Sequence, residues 1–335
     1  MSNNSPLVSI IMPCRNEERF IGQCLDSIIA NDYPKDRLEI LIGDGMSEDG
    51  TREIIEKYKK EHSFIKLFNN PKKIAPAAQN IGIRNSKGEI IMIMDAHSKY
   101  LNDYISKCIK YLKKYNVDNV GGIIITIPRE STVIAKAIAL CLSHPFGAGN
   151  AYFRIGSKKQ RLADTVPFGC YKKDVFKKIG FFNEKIKRGY EVDLNLRLRE
   201  AGGKILLSPD IVSYYYVRSN FKDFLKHNFS NGFWVIYHFR FAARIFAWRH
   251  MVPLVFVSSL IGSGILAIFF PIFCWLFLSI LSSYLLVNIY SSFKIARKEK
   301  NLKYSFILPA IFAAHHISYG LGSIFGSLKL FKIWN

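Results

Sequence analysis

An aspartate and a histidine follow a short apolar run, at a spacing that would let them share a metal ion. Residues 90–94 are apolar without a break, and Asp95, Ala96 and His97 come next. Such a run predicts a strand buried on both faces of a parallel sheet, and ligands bind beyond the carboxyl ends of such strands. Side chains at i and i+2 of an extended segment point to the same side, so this carboxylate and imidazole can hold one divalent ion. The alternative interpretation is that Asp95 caps the next helix and His97 is a loop residue.

A second carboxylate follows another predicted strand, over residues 38–42. Asp44 comes two residues after that strand, so we expect it on the same rim of the sheet as Asp95. A carboxylate there can accept a hydrogen bond from a uracil N–H or a ribose hydroxyl. The alternative is turn formation, because Asp-Gly sequences make tight turns. Neither loop carries the glycine pattern of a dinucleotide or P-loop site, which argues against NAD and P-loop functions.

Strands, loops and helices alternate through the first part of the chain, which indicates βαβ units and an α/β fold with a parallel sheet. The predicted strands are 8–12, 38–42, 64–68 and 90–94, and the helices are 18–30, about 49–60 and 75–85. Beyond them we expect a strand at 120–127, a helix at 131–142, a loop at 144–154 and a helix at 190–199.

Three loop motifs, in this order, resemble those of the family 2 glycosyltransferases. They are Pro-Cys-Arg-Asn-Glu at 13–17, Asp-Gly-Met-Ser-Glu-Asp-Gly-Thr at 44–51 and Asp-Ala-His at 95–97. The resemblance covers roughly residues 7–235 and implies the GT-A fold, a nucleotide-diphospho-sugar transferase fold with a Rossmann-like mixed, mostly parallel sheet. It also implies that these loops hold a UDP- or GDP-sugar. The implied donor-binding residues are Pro13, Arg15, Glu17, Asp44 and Asp95.

The resemblance implies a divalent metal as well, Mn²⁺ or Mg²⁺, which a DxD-type motif holds on the donor diphosphate. The second aspartate of that motif is replaced here, so the predicted ligands are Asp95 and His97. Imidazole suits Mn²⁺ better than Mg²⁺.

Glu191 is the predicted catalytic base, and Asp193 is its rival. Inverting sugar transfer needs a base that takes the proton from the acceptor hydroxyl. Glu191 is expected in the first turn of a helix, where the helix dipole would keep its carboxylate ionised. The resembled family usually has Glu-Asp at this place, with the aspartate as base, whereas this chain has Tyr190 and Glu191. Asp193 has a plain alternative role, because it can form an i, i+4 ion pair with Arg197.

Further segments resemble the bacterial exopolysaccharide enzymes of the succinoglycan ExoA type, which are membrane-bound and extend a lipid-linked oligosaccharide. They are residues 144–154, 164–171, 215–218 and 231–234. The resemblance implies that Gly169 and Cys170 lie on the acceptor side. It aligns Trp234 with the aromatic residue of the Q-x-x-R-W motif of processive enzymes, but the motif itself is absent here, so processive synthesis is not predicted.

Charge and hydrophobicity are segregated along the chain. The 335 residues are 49% hydrophobic and carry a net charge of +21, yet residues 251–293 contain no Asp, Glu, Lys, Arg or His. This stretch predicts two membrane spans, at about 251–270 and 272–290, broken at Pro271. A third apolar stretch, 304–328, contains a histidine pair and a G-x-x-x-G helix-packing pattern, and an interfacial placement is the alternative to a span.

The sequence before these spans is rich in aromatic and cationic residues. Residues 221–250 therefore predict helices lying in the membrane interface, the alternative being an ordinary amphipathic helix packed on the sheet. The basic loop predicted at 294–300 should be cytoplasmic by the positive-inside rule. The first residues lack a signal-peptide pattern. We therefore expect a multi-pass cell-membrane protein, with a cytoplasmic catalytic domain at 1–220, interfacial helices at 221–250 and spans within 251–328.

The remaining composition narrows the function. The six cysteines form no CxxC pair, which argues against a zinc cluster or disulfide scaffold. Aromatic residues do not alternate with cations as in nucleic-acid-binding strands, so no nucleic-acid partner is expected. The prediction is an inverting transferase that moves a sugar from a nucleoside diphosphate sugar, a UDP-sugar first, to a lipid-linked saccharide in exopolysaccharide or cell-surface polysaccharide synthesis. The alternatives are a polyprenyl-phosphate sugar synthase and a non-catalytic nucleotide-binding membrane scaffold.

Overall fold

The computed structural model of the chain describes residues 5–217, 219–241 and 247–334, and forms two compact units. The first unit comprises the residues up to Ile125 together with Gly156–Tyr216, and the second comprises Thr126–Ile155 and the residues after Tyr216. The structure thus groups 126–155 with the C-terminal helices, whereas the predicted division at residue 220 placed them in the catalytic domain. Residue 218 and residues 242–246, which belong to the predicted segments 215–218 and 221–250, lie outside the described residues.

The first unit is a mixed α/β structure whose elements follow the predicted alternation. Its strands, two of which run on into the second unit, are β1 (Val8–Cys14), β2 (Leu38–Asp44), β3 (Ile65–Asn69), β4 (Ile90–Ile93), β5 (Ser98–Tyr100), β6 (Asn119–Pro128), β7 (Arg161–Leu162), β8 (Cys170–Lys172) and β9 (Ile205–Val217). Its helices are α1 (Glu18–Ile29), α2 (Thr51–Glu61), α3 (Ala75–Asn85), α4 (Tyr104–Lys114), α8 (Asp174–Ile179) and α9 (Tyr190–Glu200). The predicted helix over 190–199 is therefore confirmed.

The nine strands form one sheet in the order β3-β2-β1-β4-β8-β6-β9-β5, with β7 paired to β9. β1 pairs in parallel with β2 and β4, and β2 with β3, whereas β8 is antiparallel to β4 and β6. The apolar runs of β1, β2 and β4 are buried, as the unbroken hydrophobic pattern predicted. The mixed sheet with a parallel half confirms the predicted fold class.

One predicted strand end differs from the structure. We expected β1 to stop at Pro13, but the strand continues to Cys14. The carbonyl of Ile11 accepts a bond from Met94 on the β4 side, and Pro13, two residues on, faces the same way. Because β4 has ended by that level, the missing N–H of Pro13 removes no ladder bond.

Glu39 ties two strands to the turn before β4, and we expect Glu39→Gln to lower the stability of the protein. Its buried carboxylate accepts bonds from Ser9 Oγ (2.6 Å), the Lys87 backbone N–H (2.6 Å) and Lys66 Nζ (3.2 Å). Burial alone would raise the pKa of Glu39, but these donors lower it below its usual value. The stabilisation is therefore present above the ordinary glutamate pKa and is lost as the pH falls through the lowered one. Hydrogen bonds to a charged group are each worth about 1.5–3 kcal/mol.

Thermal unfolding in detergent tests this expectation. Glu39→Gln should lower the Tm at pH 7 and should flatten its decline between pH 5 and pH 3, relative to the wild-type chain. Glu56→Gln, which removes an exposed i, i+3 partner of Lys59, is the matched control and should leave the Tm nearly unchanged. An acid profile of Glu39→Gln as steep as that of the wild type would contradict the role of this carboxylate.

The second unit is helical. Its helices are α5 (Val133–Leu142), the short α6 (Pro145–Ala148) and α7 (Tyr152–Ile155), α10 (Phe221–Tyr237), α11 (Val252–Phe269), α12 (Ile272–Lys298) and α13 (Lys303–Trp334). The segment 144–154, predicted as a loop, contains α6 and α7. Pro145 at the first position of α6 and the ring nitrogen of His144, which accepts from the Phe146 N–H (3.2 Å), explain this local helix start.

Three helices in the described part of the chain are long and apolar enough to cross a membrane. They correspond to α11, α12 and α13, and the predicted break at Pro271 is confirmed. The loop predicted at 294–300 is wrong for most of its length, because α12 continues through Lys298. Lysine and arginine are good helix formers, and cations near a helix C-terminus are favoured by the helix dipole.

Candidate active site

Three loops meet at the carboxyl end of the parallel half of the sheet. β1 ends at Cys14, which pairs with Asp44, the last residue of β2. β4 ends at Ile93, opposite Ile11 of β1. The loops that follow these three strands carry the motifs singled out in the sequence, so one rim of the sheet holds all of them, as expected for ligand sites in parallel sheets.

The first two loops are joined by hydrogen bonds. The Asn16 N–H donates to Ser47 Oγ (2.9 Å), and the Glu48 N–H donates to Asn16 Oδ1 (3.0 Å). The Glu17 N–H donates to Thr51 Oγ1 (2.8 Å). Each loop therefore fixes the backbone of the other, and a ligand bound to one is positioned by both.

Asp44 is fully buried and already has partners on both carboxylate oxygens. Ser47 Oγ and the Ser47 N–H donate to it at 2.5 Å and 3.1 Å, and Arg52 NH1 lies 2.6 Å from Oδ2. The turn interpretation of this Asp-Gly sequence is thus realised in the structure, and the donor-binding role of Asp44 stays a prediction. Arg52, in the first turns of α2, is a cation at this rim that the sequence did not single out.

The other two residues predicted for the first loop differ in exposure. Pro13 is half-buried within β1, and Arg15 is exposed and lies 3.8 Å from Glu48 in an ion pair. Their contacts with a donor stay predictions.

Asp95 and His97 lie on the loop after β4, and both are partly buried. The backbone of Asp95 is fixed, because its N–H donates to Tyr100 Oη (2.8 Å) and its carbonyl accepts from Cys24 Sγ (3.3 Å). His97 Nδ1 lies 3.0 Å from Glu17 Oε1. The structure therefore brings Glu17 of the first loop to the third loop, a contact that no sequence pattern indicated.

Negative charge accumulates around His97. Burial raises the pKa of Asp95, and Glu17 raises it further, while His97 opposes both. Burial alone would lower the pKa of His97, but Tyr215, Glu17 and Asp95 together raise it to about 10. His97 is accordingly the positive partner of two carboxylates. Tyr215, whose ring centroid lies 5.0 Å from that of His97, is a further neighbour that the motifs did not identify.

Glu191 adds a third carboxylate to this group. It occupies the first turn of α9, which starts after Gly189 in the left-handed conformation (φ 75°). Burial, and next the Asp95 carboxylate, raise the pKa of Glu191 to about 8. The expectation that the helix dipole would keep Glu191 ionised is therefore wrong, because loss of water and a nearby like charge outweigh the dipole.

Asp193 is placed differently from Glu191. It is buried, and its Oδ2 accepts from Arg197 Nε (3.0 Å) and NH2 (2.9 Å). Arg197 also donates to the carbonyls of Ile179 and Phe181. The structure therefore supports the helical ion pair that the sequence left open, and a role of Asp193 as base stays a prediction.

The three residues predicted on the acceptor side lie in different environments. The carbonyl of Gly169 accepts from the Ile93 N–H (3.0 Å), next to the end of β4. Cys170 is fully buried in β8, opposite Met92, so its thiol lies in the core. Trp234 belongs to the second unit, where its ring packs edge-on against Phe233 and Tyr237. The acceptor-side roles of these three residues stay predictions.

The carboxylates of Glu17, Asp95 and Glu191 together suit a divalent cation that is shared with a substrate. No three metal-ligating side chains form a closed cluster within the described residues. Mg²⁺ and similar ions, however, are commonly held by one or two carboxylates plus substrate phosphates. Burial is the main cause of the raised pKa values of Asp95 and Glu191, and a cation bound beside them would favour their ionised forms. Asp95 can supply an oxygen, and His97 can supply a ring nitrogen once it gives up the proton that its raised pKa favours.

Comparisons with known proteins agree with this fold. The model of the family described as Glycosyl transferase family 2 matches residues 9–180. A mannosyltransferase, PcManGT from Pyrobaculum calidifontis, solved in complex with GDP-Man and Mn²⁺, superposes with a TM-score of 0.61 over 96% of this chain and 88% of that chain. Its sequence identity is 17%, so this likeness shows the fold alone.

Two curated relatives extend the match. The dolichyl N-acetyl-alpha-D-glucosaminyl phosphate 3-beta-D-2,3-diacetamido-2,3-dideoxy-beta-D-glucuronosyltransferase of Methanococcus voltae is 35% identical over 234 residues, which cover 67% of this chain and 71% of the relative. The succinoglycan biosynthesis protein ExoA of Rhizobium meliloti is 25% identical over 281 residues, which cover 76% of this chain and 84% of the relative.

The fold is that of the GT-A class. The chain belongs to the glycosyl transferase family 2. The predicted resemblance to ExoA-type enzymes is confirmed by the ExoA match. The chain is a membrane glycosyltransferase, and the alternative of a non-catalytic scaffold is set aside.

Proposed function

We propose that the protein is an inverting glycosyltransferase that moves a sugar from a nucleoside diphosphate sugar to a lipid-linked saccharide at the cytoplasmic face of the membrane. The observation that carries the proposal is the convergence of Glu17, Asp95, His97 and Glu191 at the carboxyl end of the sheet. The name of the Methanococcus relative supports a lipid-linked acceptor, since it describes a dolichyl-phosphate-linked sugar as substrate.

The donor is held, in this proposal, by the two joined loops that follow β1 and β2, with a UDP-sugar as the first candidate. Pro13, Arg15, Glu17 and Asp44 are the proposed donor contacts at these loops, which hydrogen bonds hold together. Asp95 and His97 would hold Mn²⁺ or Mg²⁺, and Mn²⁺ accompanies GDP-Man in the Pyrobaculum mannosyltransferase. When bound, such an ion neutralises charge on the departing diphosphate.

The reaction is a single displacement. The acceptor hydroxyl oxygen forms a bond to the anomeric carbon, the bond from that carbon to the diphosphate oxygen breaks, and the nucleoside diphosphate leaves. Glu191 takes the proton of the attacking hydroxyl. A base works best when its pKa lies near the operating pH, and the pKa of about 8 gives Glu191 a high proton affinity. Gly169, next to the end of β4, is the proposed acceptor-side backbone contact, and the acceptor-side roles of Cys170 and Trp234 stay predictions.

An acceptor comparison tests this function. The purified protein, in detergent with Mn²⁺, is given a panel of UDP-, GDP- and dTDP-sugars together with dolichyl phosphate N-acetylglucosamine, dolichyl phosphate, or neither. We expect one donor to release its nucleotide only with the lipid-linked sugar. Absence of nucleotide release from all three donor classes with every acceptor would contradict the proposed substrates.

A polyprenyl-phosphate sugar synthase is the second candidate, and one observation favours it. With a pKa of about 8, Glu191 is largely protonated at neutral pH unless a cation lowers that pKa. A phosphate acceptor is already ionised and needs no base. Nucleotide release with dolichyl phosphate alone, retained in Glu191→Gln, would support this candidate over the first.

The pH dependence of turnover follows from the same carboxylate. Burial and then Asp95 raise the pKa of Glu191 to about 8, and only the ionised form can take a proton. We therefore expect kcat/KM to fall as the pH decreases, with a midpoint above the ordinary glutamate value of about 4.3. More Mn²⁺ should move that midpoint to lower pH, because a nearby cation favours the charged form. A profile of kcat/KM from pH 4 to 9 measures this, and a midpoint near 4.3 at every Mn²⁺ concentration would contradict it.

A further inference from the structure

α13 is apolar enough to span a membrane, but its packing partners are unlike those of α11 and α12. Within the most apolar window of each helix, 56% of α13 is buried inside the protein, against 11% of α11 and 6% of α12. α11 and α12 form an antiparallel hairpin, in which Phe256 and Tyr284 stack with ring centroids 4.4 Å apart. Those two helices therefore present their apolar surfaces to lipid, whereas α13 is mostly covered by protein.

The C-terminal half of α13 packs backbone to backbone against α10. A Cβ at Gly322 would lie 2.0 Å from the carbonyl oxygen of Phe229, and one at Gly326 would lie 2.6 Å from that of Phe233. The predicted G-x-x-x-G packing role is thereby confirmed. From the other side, a Cβ at Gly232 of α10 would lie 1.9 Å from the carbonyl oxygen of Tyr319. The two helix backbones are thus in direct contact over this stretch.

α10 is shorter than α11, α12 and α13, and it is not among the candidate spans of the described residues. Its 17 residues span about 26 Å, less than the roughly 30 Å of a hydrocarbon core. Its first two turns contain Lys222, Asp223 and Lys226, and of these Lys222 and Lys226 are exposed. Because α13 is packed along this polar helix, its C-terminal half must lie where α10 lies.

The other contacts of α13 are with the base of the hairpin, that is, the end at which α11 begins and α12 ends. The Pro309 carbonyl accepts from Asn288 Nδ2 (3.0 Å), and Tyr319 Oη bonds His250 Nδ1 (2.9 Å). A Cβ at Gly320 would lie 2.4 Å from the carbonyl oxygen of Pro253, the second residue of α11. Gly320 is about 26 Å along α13 from its start at Lys303, yet it still contacts the first turn of α11. The first half of α13 also follows the C-terminal half of α12, where Tyr284 Oη bonds His316 Nδ1 (3.0 Å). α13 thus meets α12 along this half and meets α11 at its first turns.

Charge places this base at an anionic surface. The second unit contains sixteen Lys and Arg and three Asp and Glu, so it carries +13 of the net charge of +21. Lys329 Nζ lies 5.8 Å and 5.5 Å from the ring centroids of Phe233 and Tyr237, where α13 meets α10. Cations paired with aromatic rings are typical of the interface of an anionic leaflet.

We propose that α13 lies in the membrane interface beside α10, so that the chain crosses the membrane twice and its C-terminus returns to the side of α10. The surface that faces lipid is an apolar stripe on α13 that includes Phe306, Ile317 and Leu328. These residues are eleven apart, which is three turns of helix, so they share one face. Two spans also leave Lys329 and Lys332 on the basic side, which the positive-inside rule favours. The proposal does not depend on the donor or acceptor.

The interfacial placement of α13 is tested by measuring the depth of spin labels in vesicles that contain anionic lipid. Cys274→Ser removes the exposed cysteine, and the other five cysteines are buried. Phe306→Cys, Ile317→Cys and Leu328→Cys are then labelled one at a time in the full chain. An interfacial α13 gives three depths that agree within about 5 Å. A spanning α13 would overturn the proposal by placing Ile317 about 16 Å deeper than the other two.

Matched labels on α11 calibrate the depth scale. Val255→Cys and Ile261→Cys are both exposed positions, and Ile261 should be the deeper of the two by about 9 Å. A cysteine added after Asn335 gives an independent readout with a membrane-impermeant maleimide. It should react from the same side as Asn301→Cys, in the turn before α13, and opposite to Phe270→Cys at the tip of the hairpin. Reaction from the side of Phe270→Cys would overturn the proposal even if a labelled α13 variant failed to fold.

Discussion

Asp95→Asn is expected to lower kcat about 10³-fold while the Tm changes little. Stabilisation of leaving-group charge is worth several kcal/mol, and each 1.4 kcal/mol is a factor of ten. Asparagine keeps the shape of the side chain, and the backbone bonds to Tyr100 and Cys24 do not involve the carboxylate. The substitution therefore removes charge from the site and leaves the loop in place.

Two readouts separate the role of Asp95 from a general defect. Binding of Mn²⁺ in the presence of a nucleoside diphosphate, followed by the electron paramagnetic resonance of the free ion, should weaken in Asp95→Asn. The pKa of Glu191 should also fall, because Asp95 helps to raise it, and the acid limb of kcat/KM should move to lower pH. Asp174→Asn, which loses only an exposed pair with Lys177, is the control and should behave like the wild-type chain. Unchanged turnover and unchanged Mn²⁺ binding in Asp95→Asn would contradict the proposed role of Asp95 as a metal ligand.

Glu191→Gln is expected to lower kcat by about 10²–10⁴-fold with the lipid-linked sugar as acceptor, since a positioned general base contributes that much. The side chain keeps its size, and α9 keeps its start at Gly189. The acid limb of the pH profile should disappear with the carboxylate. Donor binding should stay within about threefold, because Glu191 acts on the acceptor hydroxyl in this mechanism.

Asp193→Asn is the matched variant on the same helix. It weakens the pair with Arg197, which also holds the carbonyls of Ile179 and Phe181, so the expected effect is a lower Tm. Loss of a hydrogen bond between charged groups costs about 1.5–3 kcal/mol. If Asp193→Asn abolished turnover at an unchanged Tm, and Glu191→Gln did not, the assignment of the base would pass to Asp193.

Sequence patterns predicted the structure correctly where they reflect local backbone geometry. Unbroken apolar runs in β1, β2 and β4 predicted buried parallel strands, and their ends placed Asp44 and Asp95 on one rim. The helical spacing of Asp193 and Arg197 predicted their ion pair, and Pro271 predicted the break between α11 and α12. Each of these rests on neighbours within a few residues or on a regular repeat.

Features that depend on contacts between residues distant in the sequence could not be predicted from sequence patterns. Glu17 and His97 are eighty residues apart in sequence and meet only because β1 and β4 are adjacent. The pKa of Glu191 is set by burial and by Asp95, which outweigh the helix dipole inferred from its position. Arg52 binds Asp44 only once α2 is placed behind its loop. The grouping of residues 126–155 with the C-terminal helices also depends on packing that no local pattern contains.

Analysis of the lipid product tests the central claim most directly. The wild-type chain is incubated with the donor that it turns over and with dolichyl phosphate N-acetylglucosamine, and the extracted lipid is examined by mass spectrometry and by NMR of the new anomeric centre. The proposed mechanism predicts one added sugar whose anomeric configuration is inverted relative to the donor. A product with retained configuration, or a sugar attached directly to the lipid phosphate, would contradict it.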